Sequence, residues 1–195
     1  NLHEIGSPLA QLYGEGETRF IRLVRSYRST REIVEFTQAM LPNGAEIVPF
    51  DRRGKKPTLL RTDSGEMRAM RILDDLAALR AEGFTSIAII TKTAAESREA
   101  FELLQSRGDE GLRLIAKETT TFERGTMVIP AYLAKGVEFD AVLIYDASSQ
   151  TYGLESERKL FYTACTRAMH RLHLYANGEW TSYIQELDHV LYELA

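Results

Sequence analysis

The sequence has one cysteine, Cys165, so it holds no internal disulfide and no cysteine-built zinc cluster, which fits a reducing cytosol. Long apolar runs are also missing. The longest, around Ile87–Ile90, is strand-sized and far too short to cross a bilayer. No secretory pattern opens the chain, because Asn1-Leu2-His3-Glu4 has neither a basic start nor an apolar core. A soluble, cytoplasmic protein without a membrane partner is expected. There is no basic surplus: 24 Lys and Arg face 28 Asp and Glu, for a formal net charge of -4. A free-standing nucleic-acid binder usually carries the opposite balance. Nothing matches Gly-x-x-x-x-Gly-Lys-Ser/Thr, the loop that cradles phosphates, and Gly14-Glu15-Gly16 is too short and too acidic to replace it. No Asp-Glu pair follows a strand in a way that would hold Mg²⁺, so no metal site is expected. The absence of an initiator methionine suggests a piece of a longer chain.

What remains is ordinary globular material, 44% hydrophobic and 27% charged, over 195 residues. That length suits one α/β domain. Basic clusters occur at Arg52-Arg53-Gly54-Lys55-Lys56 and along Arg19, Arg22, Arg25, Arg28 and Arg31. Either could be no more than a solvated face.

Apolar runs alternate with helical patterns. Strands are expected at Phe20–Val24, Thr58–Arg61, Ile87–Thr91, Leu112–Lys117, Thr126–Pro130, Ala141–Asp146 and Leu172–Tyr175. Helices are expected at about Thr30–Met40, Glu66–Ala81, Thr93–Ser106, Glu157–Met169 and Thr181–Leu194. Ser29 with Glu32 has the pattern of a capping box, Thr93 with Glu96 caps the third helix, and Gly83 ends the second. Met67, Met70, Leu73, Leu76 and Leu79 fall near one face of that second helix. Pro42-Asn43-Gly44 is a turn. The alternation implies α/β architecture, a mostly parallel sheet with helices on both faces, in a single domain spanning 1–195. In such sheets ligands bind beyond the carboxyl ends of strands, which directs attention to Ser26–Ser29, Tyr132–Asp140 and the approach to Glu157.

Three segments stand out. Arg25-Ser26-Tyr27-Arg28-Ser29-Thr30 sets an aromatic ring beside a guanidinium at a helix mouth, a pair that can stack on a base and meet a phosphate. Taken alone it is a common sequence. Ala134-Lys135-Gly136-Val137-Glu138-Phe139-Asp140 precedes a buried strand. Gly136 permits a sharp turn against a ligand, and Glu138 can accept hydrogen bonds from ribose hydroxyls. A surface turn with solvated Lys135 and Glu138 would look the same. The third runs from Glu157 to Ala168. Helical spacing there turns Leu160, Ala164 and Ala168 to the core and leaves Arg167 to project elsewhere, or simply to meet a helix dipole.

Together these segments resemble motifs IV, V and VI of the UvrD/Rep/PcrA group of superfamily 1 helicases. Ser26 stands where the group has Asn, and Tyr132 where it usually has His. The resemblance implies the second RecA-like lobe of an ATP-driven DNA helicase or translocase. In that reading Tyr27 stacks on adenine, Arg28 and Arg167 reach the γ-phosphate as catalytic cations, and Glu138 holds the ribose. Gly136 and Lys135 lie between nucleotide and nucleic acid, with Tyr132 on the nucleic-acid side. The cofactor implied is Mg-ATP, its metal held by an N-terminal RecA-like lobe of the same protein, so this chain alone would be inactive. DNA is implied in preference to RNA. The absence of a large accessory insertion between motifs IV and V is similar to the HelD-like branch, which associates with bacterial RNA polymerase. A protein-docking module regulated by nucleotide and an unrelated flavodoxin-like domain are the competing readings.

Overall fold

The computed structural model describes residues 25–26, 29–41, 48–49, 51–117, 119 and 124–195, with side chains described outside 25–26 and 48–49. The expected strand Phe20–Val24, the turn at Pro42-Asn43-Gly44, and Tyr27 and Arg28 lie outside the described residues.

In chain order the elements are β1 (Arg25–Ser26), α1 (Arg31–Ala39), β2 (Val48–Pro49), β3 (Thr58–Thr62), α2 (Gly65–Ala81) and β4 (Ser86–Thr91). There follow α3 (Ala94–Ser106), β5 (Leu112–Leu114), β6 (Gly125–Pro130), β7 (Phe139–Ile144), α4 (Arg158–Cys165) and β8 (Ala168–Asn177). The short helix α5 (Ser182–Gln185) and β9 (Glu193–Leu194) complete the described chain. β1 and β2 pair with each other, and the remaining strands form one seven-stranded sheet in the order β5-β6-β4-β7-β8-β3-β9. Every pairing in it is parallel.

Parallel strands covered on both faces need apolar residues on both sides, and the central strands supply them. In β4, Ala88 and Ile90 face one core while Ile87 and Ile89 face the other. In β7 the split is Val142 and Ile144 against Ala141 and Leu143. The first core takes Ile33 and Phe36 from α1 and Phe161 and Ala164 from α4. The second takes Ile72, Leu76 and Leu79 from α2 and Ala100 and Leu104 from α3. Each such Val, Leu, Ile or Phe side chain stabilises the fold by about 1.5–3 kcal/mol on burial. The sheet ends in a three-residue strand and a two-residue strand, edges too short to invite pairing with another chain.

Four local expectations need correction. Ser29 and Glu32 form no capping box: the N-cap of α1 is Thr30, Ser29 Oγ donates to the Ala168 carbonyl, and Glu32 accepts from Gly54 N. On α2 the buried face is Arg68, Ala69, Ile72, Leu76 and Leu79, while Met67 and Met70 are 46% and 55% exposed. At about 100° per residue Met67 lies opposite Leu76, so the two methionines belong to the solvent side. The helix before Arg167 stops at Cys165, because Thr163 and Thr166 hydroxyls take carbonyls of the last turns and β8 starts at Ala168. Ala168 is buried, as expected, but in a strand. The closing helix is only Ser182–Gln185: Asp188 caps a 3₁₀ turn through Val190 N, and Glu193 and Ala195 donate to Pro57 and Leu59 carbonyls along the sheet edge.

Candidate functional site

β6 and β7 flank β4 and run parallel to it, so the chain must travel from the carboxyl end of β6 back to the amino end of β7. The segment 131–138 makes that return. Ala131 and Ala134 are buried along the way. Gly136 has φ +85°, the left-handed conformation that favours glycine, with no protein atom near a would-be Cβ. The segment therefore begins with Tyr132 at one edge of the sheet and delivers Glu138 to the other.

At that second edge three distant stretches meet. Phe139 N donates to the Arg167 carbonyl at 3.0 Å, and Phe139 pairs with Ala168, which sets the backbone of Glu138 beside that of Arg167. Ser29 Oγ donates to the Ala168 carbonyl at 2.7 Å, and Thr30 N to the Met169 carbonyl at 3.1 Å. Ser29 and Thr30, the described end of the first motif, thus reach the same place. The Arg167 side chain is half-buried and shaped by the turn it follows: Nε donates to the Thr163 carbonyl at 3.0 Å and Nη2 to Thr166 Oγ1 at 3.1 Å. Glu138 is half-buried as well. A carboxylate-bearing and a guanidinium-bearing residue on adjacent backbone at a partly open edge suit a ligand with hydroxyls and phosphates.

This edge is formed by the amino ends of β7 and β8. The segments singled out therefore divide between the two ends: Tyr132 follows the carboxyl end of β6, while Glu138 and Arg167 precede the amino ends of β7 and β8. α4 runs back across the sheet, with Glu157 before its start at the carboxyl edge and Arg167 after its end at the amino edge.

The carboxyl edge holds Tyr132, 51% exposed, over a cavity of about 260 Å³ lined also by Ala94, Arg98, Ile115 and Lys117. Lys135 is exposed on the return segment. Glu157 is held there by Lys92, whose Nζ sits 2.6 Å from Glu157 Oε1 and donates to the Thr151 carbonyl at 2.6 Å. That hydrogen bond keeps the Glu157 carboxyl below the usual range.

Sequence reasoning missed several groups. Arg68 Nη1 pairs with Asp146 Oδ2 at 2.6 Å, with both side chains nearly buried and the guanidinium 4.0 Å from the centre of the Tyr145 ring. Burial, with Asp146 beside it, raises the Glu96 carboxyl. The signals existed, since Lys92 and Asp146 each closely follow a buried strand, but their partners are distant in sequence. Burial pushes the Cys165 thiol far up, which makes it an inert core residue. Among the described residues no group of three His, Cys, Asp or Glu is placed to hold a metal ion, and no helix is long and apolar enough to cross a membrane.

A parallel sheet with helices on both faces and this paired edge is the RecA-like helicase C-terminal fold. The model of the UvrD-like helicase C-terminal domain matches residues 126–175, the stretch carrying Glu138 and Arg167. The C-terminal domain of a possible DNA helicase from Lactobacillus plantarum WCFS1 is 38% identical, with 87% of this chain and 98% of that one covered and a TM-score of 0.76. The chain belongs to the UvrD-like helicase C-terminal domain family. Two further structures share the fold alone. The C-terminal domain of the DEAD-box protein Dbp5 is 13% identical, covering 72% of this chain and 89% of that one, with a TM-score of 0.51. S. cerevisiae Dbp5 bound to RNA and ADP BeF3 is 12% identical, covering 83% and 47%, with a TM-score of 0.53. The comparison with curated protein sequences finds no match.

Proposed function

We propose that this chain is the second motor lobe of an ATP-dependent superfamily 1 helicase or translocase, and that its amino-edge site closes over ATP held by an N-terminal RecA-like lobe. The observation that carries this reading is the bond from Phe139 N to the Arg167 carbonyl, which brings Glu138 and Arg167 from separate motifs to one edge. Glu138 accepts from the ribose hydroxyls. Arg167 meets the γ-phosphate and stabilises charge developing on the transferred group, and Tyr27 and Arg28 add adenine stacking and a second phosphate contact. The Mg²⁺ that accompanies ATP would be held by the first lobe. Without a phosphate cradle of its own, this chain alone hydrolyses nothing.

Nucleic acid, DNA in preference to RNA, is assigned to the opposite edge. Tyr132 offers a stacking face there, and Lys135 a cation on the return segment. Segment 131–138 physically joins the two edges, so a shift at Glu138 on hydrolysis is felt at Tyr132.

The test is steady-state ATP hydrolysis by the protein carrying both lobes. Arg167→Ala should lower kcat by on the order of 10³-fold or more, with a much smaller change in nucleotide affinity. Equal turnover would remove Arg167 from the mechanism.

A second reading has one observation behind it. Residues 58–117, between the first and second motifs, supply β3, β4 and β5 of the same sheet instead of an accessory domain. That economy favours a HelD-like, cytoplasmic ATPase acting on RNA polymerase. Nucleotide-dependent binding to polymerase without strand separation supports it, and duplex unwinding supports the first.

A further inference from the structure

The basic stretch at Arg52–Lys56 has no part in the site described so far, yet it packs against it. The Arg52 carbonyl accepts from Arg31 N at 2.9 Å, giving one of the orphan N–H groups in the first turn of α1 an acceptor. Gly54 N donates to Glu32 Oε2 at 2.7 Å. A Cβ on Gly54 would fall 2.5 Å from Thr30 Cγ2, so only glycine lets this backbone lie on the helix mouth. The Arg52 side chain then reaches across to β8. Its Nη2 donates to the Met169 carbonyl at 3.4 Å, the same carbonyl that accepts from Thr30 N, and lies over the His170 ring, 2.9 Å from Nδ1 and 3.2 Å from Nε2.

We propose that Arg52 and His170 are a positioning pair that locks the mouth of α1 to the start of β8, and so fixes Ser29 and Thr30 relative to Arg167. This rests on the nucleotide-edge reading above. A guanidinium stacks favourably on a neutral imidazole and is repelled by an imidazolium, so the contact needs an unprotonated ring. The surroundings keep it so. The ring stacks on Phe84 at 5.6 Å between centroids, burial holds its pKa below the usual value, and the charges of Arg52 and Arg171 act in the same direction. Asp140 on β7 opposes them, and Arg171 is itself paired with Glu82, which also meets Lys55. Protonation would turn a neutral ring into a second cation facing Arg52. The lock is broken by acid.

The experiment is the pH profile of kcat for ATP hydrolysis by the two-lobed protein, with melting temperature recorded for each variant. Wild type should lose kcat on the acid side as His170 protonates. His170→Asn keeps a neutral, planar polar side chain against Arg52, so it should retain activity and flatten that acid limb. Arg52→Met should lower kcat between about ten-fold and a hundred-fold at all pH values, with nucleic-acid KM and melting temperature unchanged. If Arg52→Met melts early, the His170→Asn profile carries the test alone. An acid limb that persists in His170→Asn, or full kcat in a stable Arg52→Met, overturns the proposal. Loss of the Arg167→Ala effect would instead overturn the reading beneath it.

Discussion

Glu96 shows what a single side chain contributes here. Its carboxylate accepts from Lys92 N at 2.7 Å at the head of α3, while burial and the nearby Asp146 raise its pKa above the unfolded value of about 4.3. The folded state therefore binds this proton more tightly than the unfolded state. Its stabilising effect is complete below the unfolded pKa and is lost as pH rises through the folded one. At neutral pH the charged group is a liability. Glu96→Gln retains an acceptor and should raise the melting temperature at pH 7, with the gain shrinking toward pH 4. An equal gain at both pH values would mean that charge is not the cause. At this scale sequence reading worked where chemistry is local. Thr93 caps α3 by accepting from Glu96 N, as its spacing suggests. It failed for Ser29, whose hydroxyl prefers the Ala168 carbonyl, a partner 139 positions away. No local pattern carries that information.

Whole elements were legible when their burial was two-sided. β4, β6 and β7 appear within a few residues of where their apolar runs place them, because a central parallel strand must be apolar throughout. α2 was legible as a helix and misread as a face. Methionine reads as core in a sequence, but Ile72 is fully buried while Met70 points to solvent. Ile72→Ala should cost about 2–5 kcal/mol in denaturant unfolding. Met70→Lys should fall within about 0.5 kcal/mol of wild type. Comparable losses at the two positions would mean the helix is rotated. The boundary between α4 and β8 escaped notice because Met169-His170-Arg171 has no strong preference of its own, and pairing with β7 decides it.

For the whole molecule, the sheet order matters more than any motif. Placing β4 between β6 and β7 forces the 131–138 return, and α4 crosses back beneath the sheet, so two consecutive motifs each span both edges. The α/β class could be read from the chain. Which ends of the strands Glu138 and Arg167 occupy could not, because strand order is set by packing between segments far apart. The most direct measurement is amide hydrogen exchange on the two-lobed protein with and without a non-hydrolysable ATP analogue. Protection is expected at 29–31, 136–140 and 166–170, along the amino ends of β7 and β8. Protection confined to 92–98 and 146–153, at the carboxyl ends, would contradict the nucleotide edge assigned here.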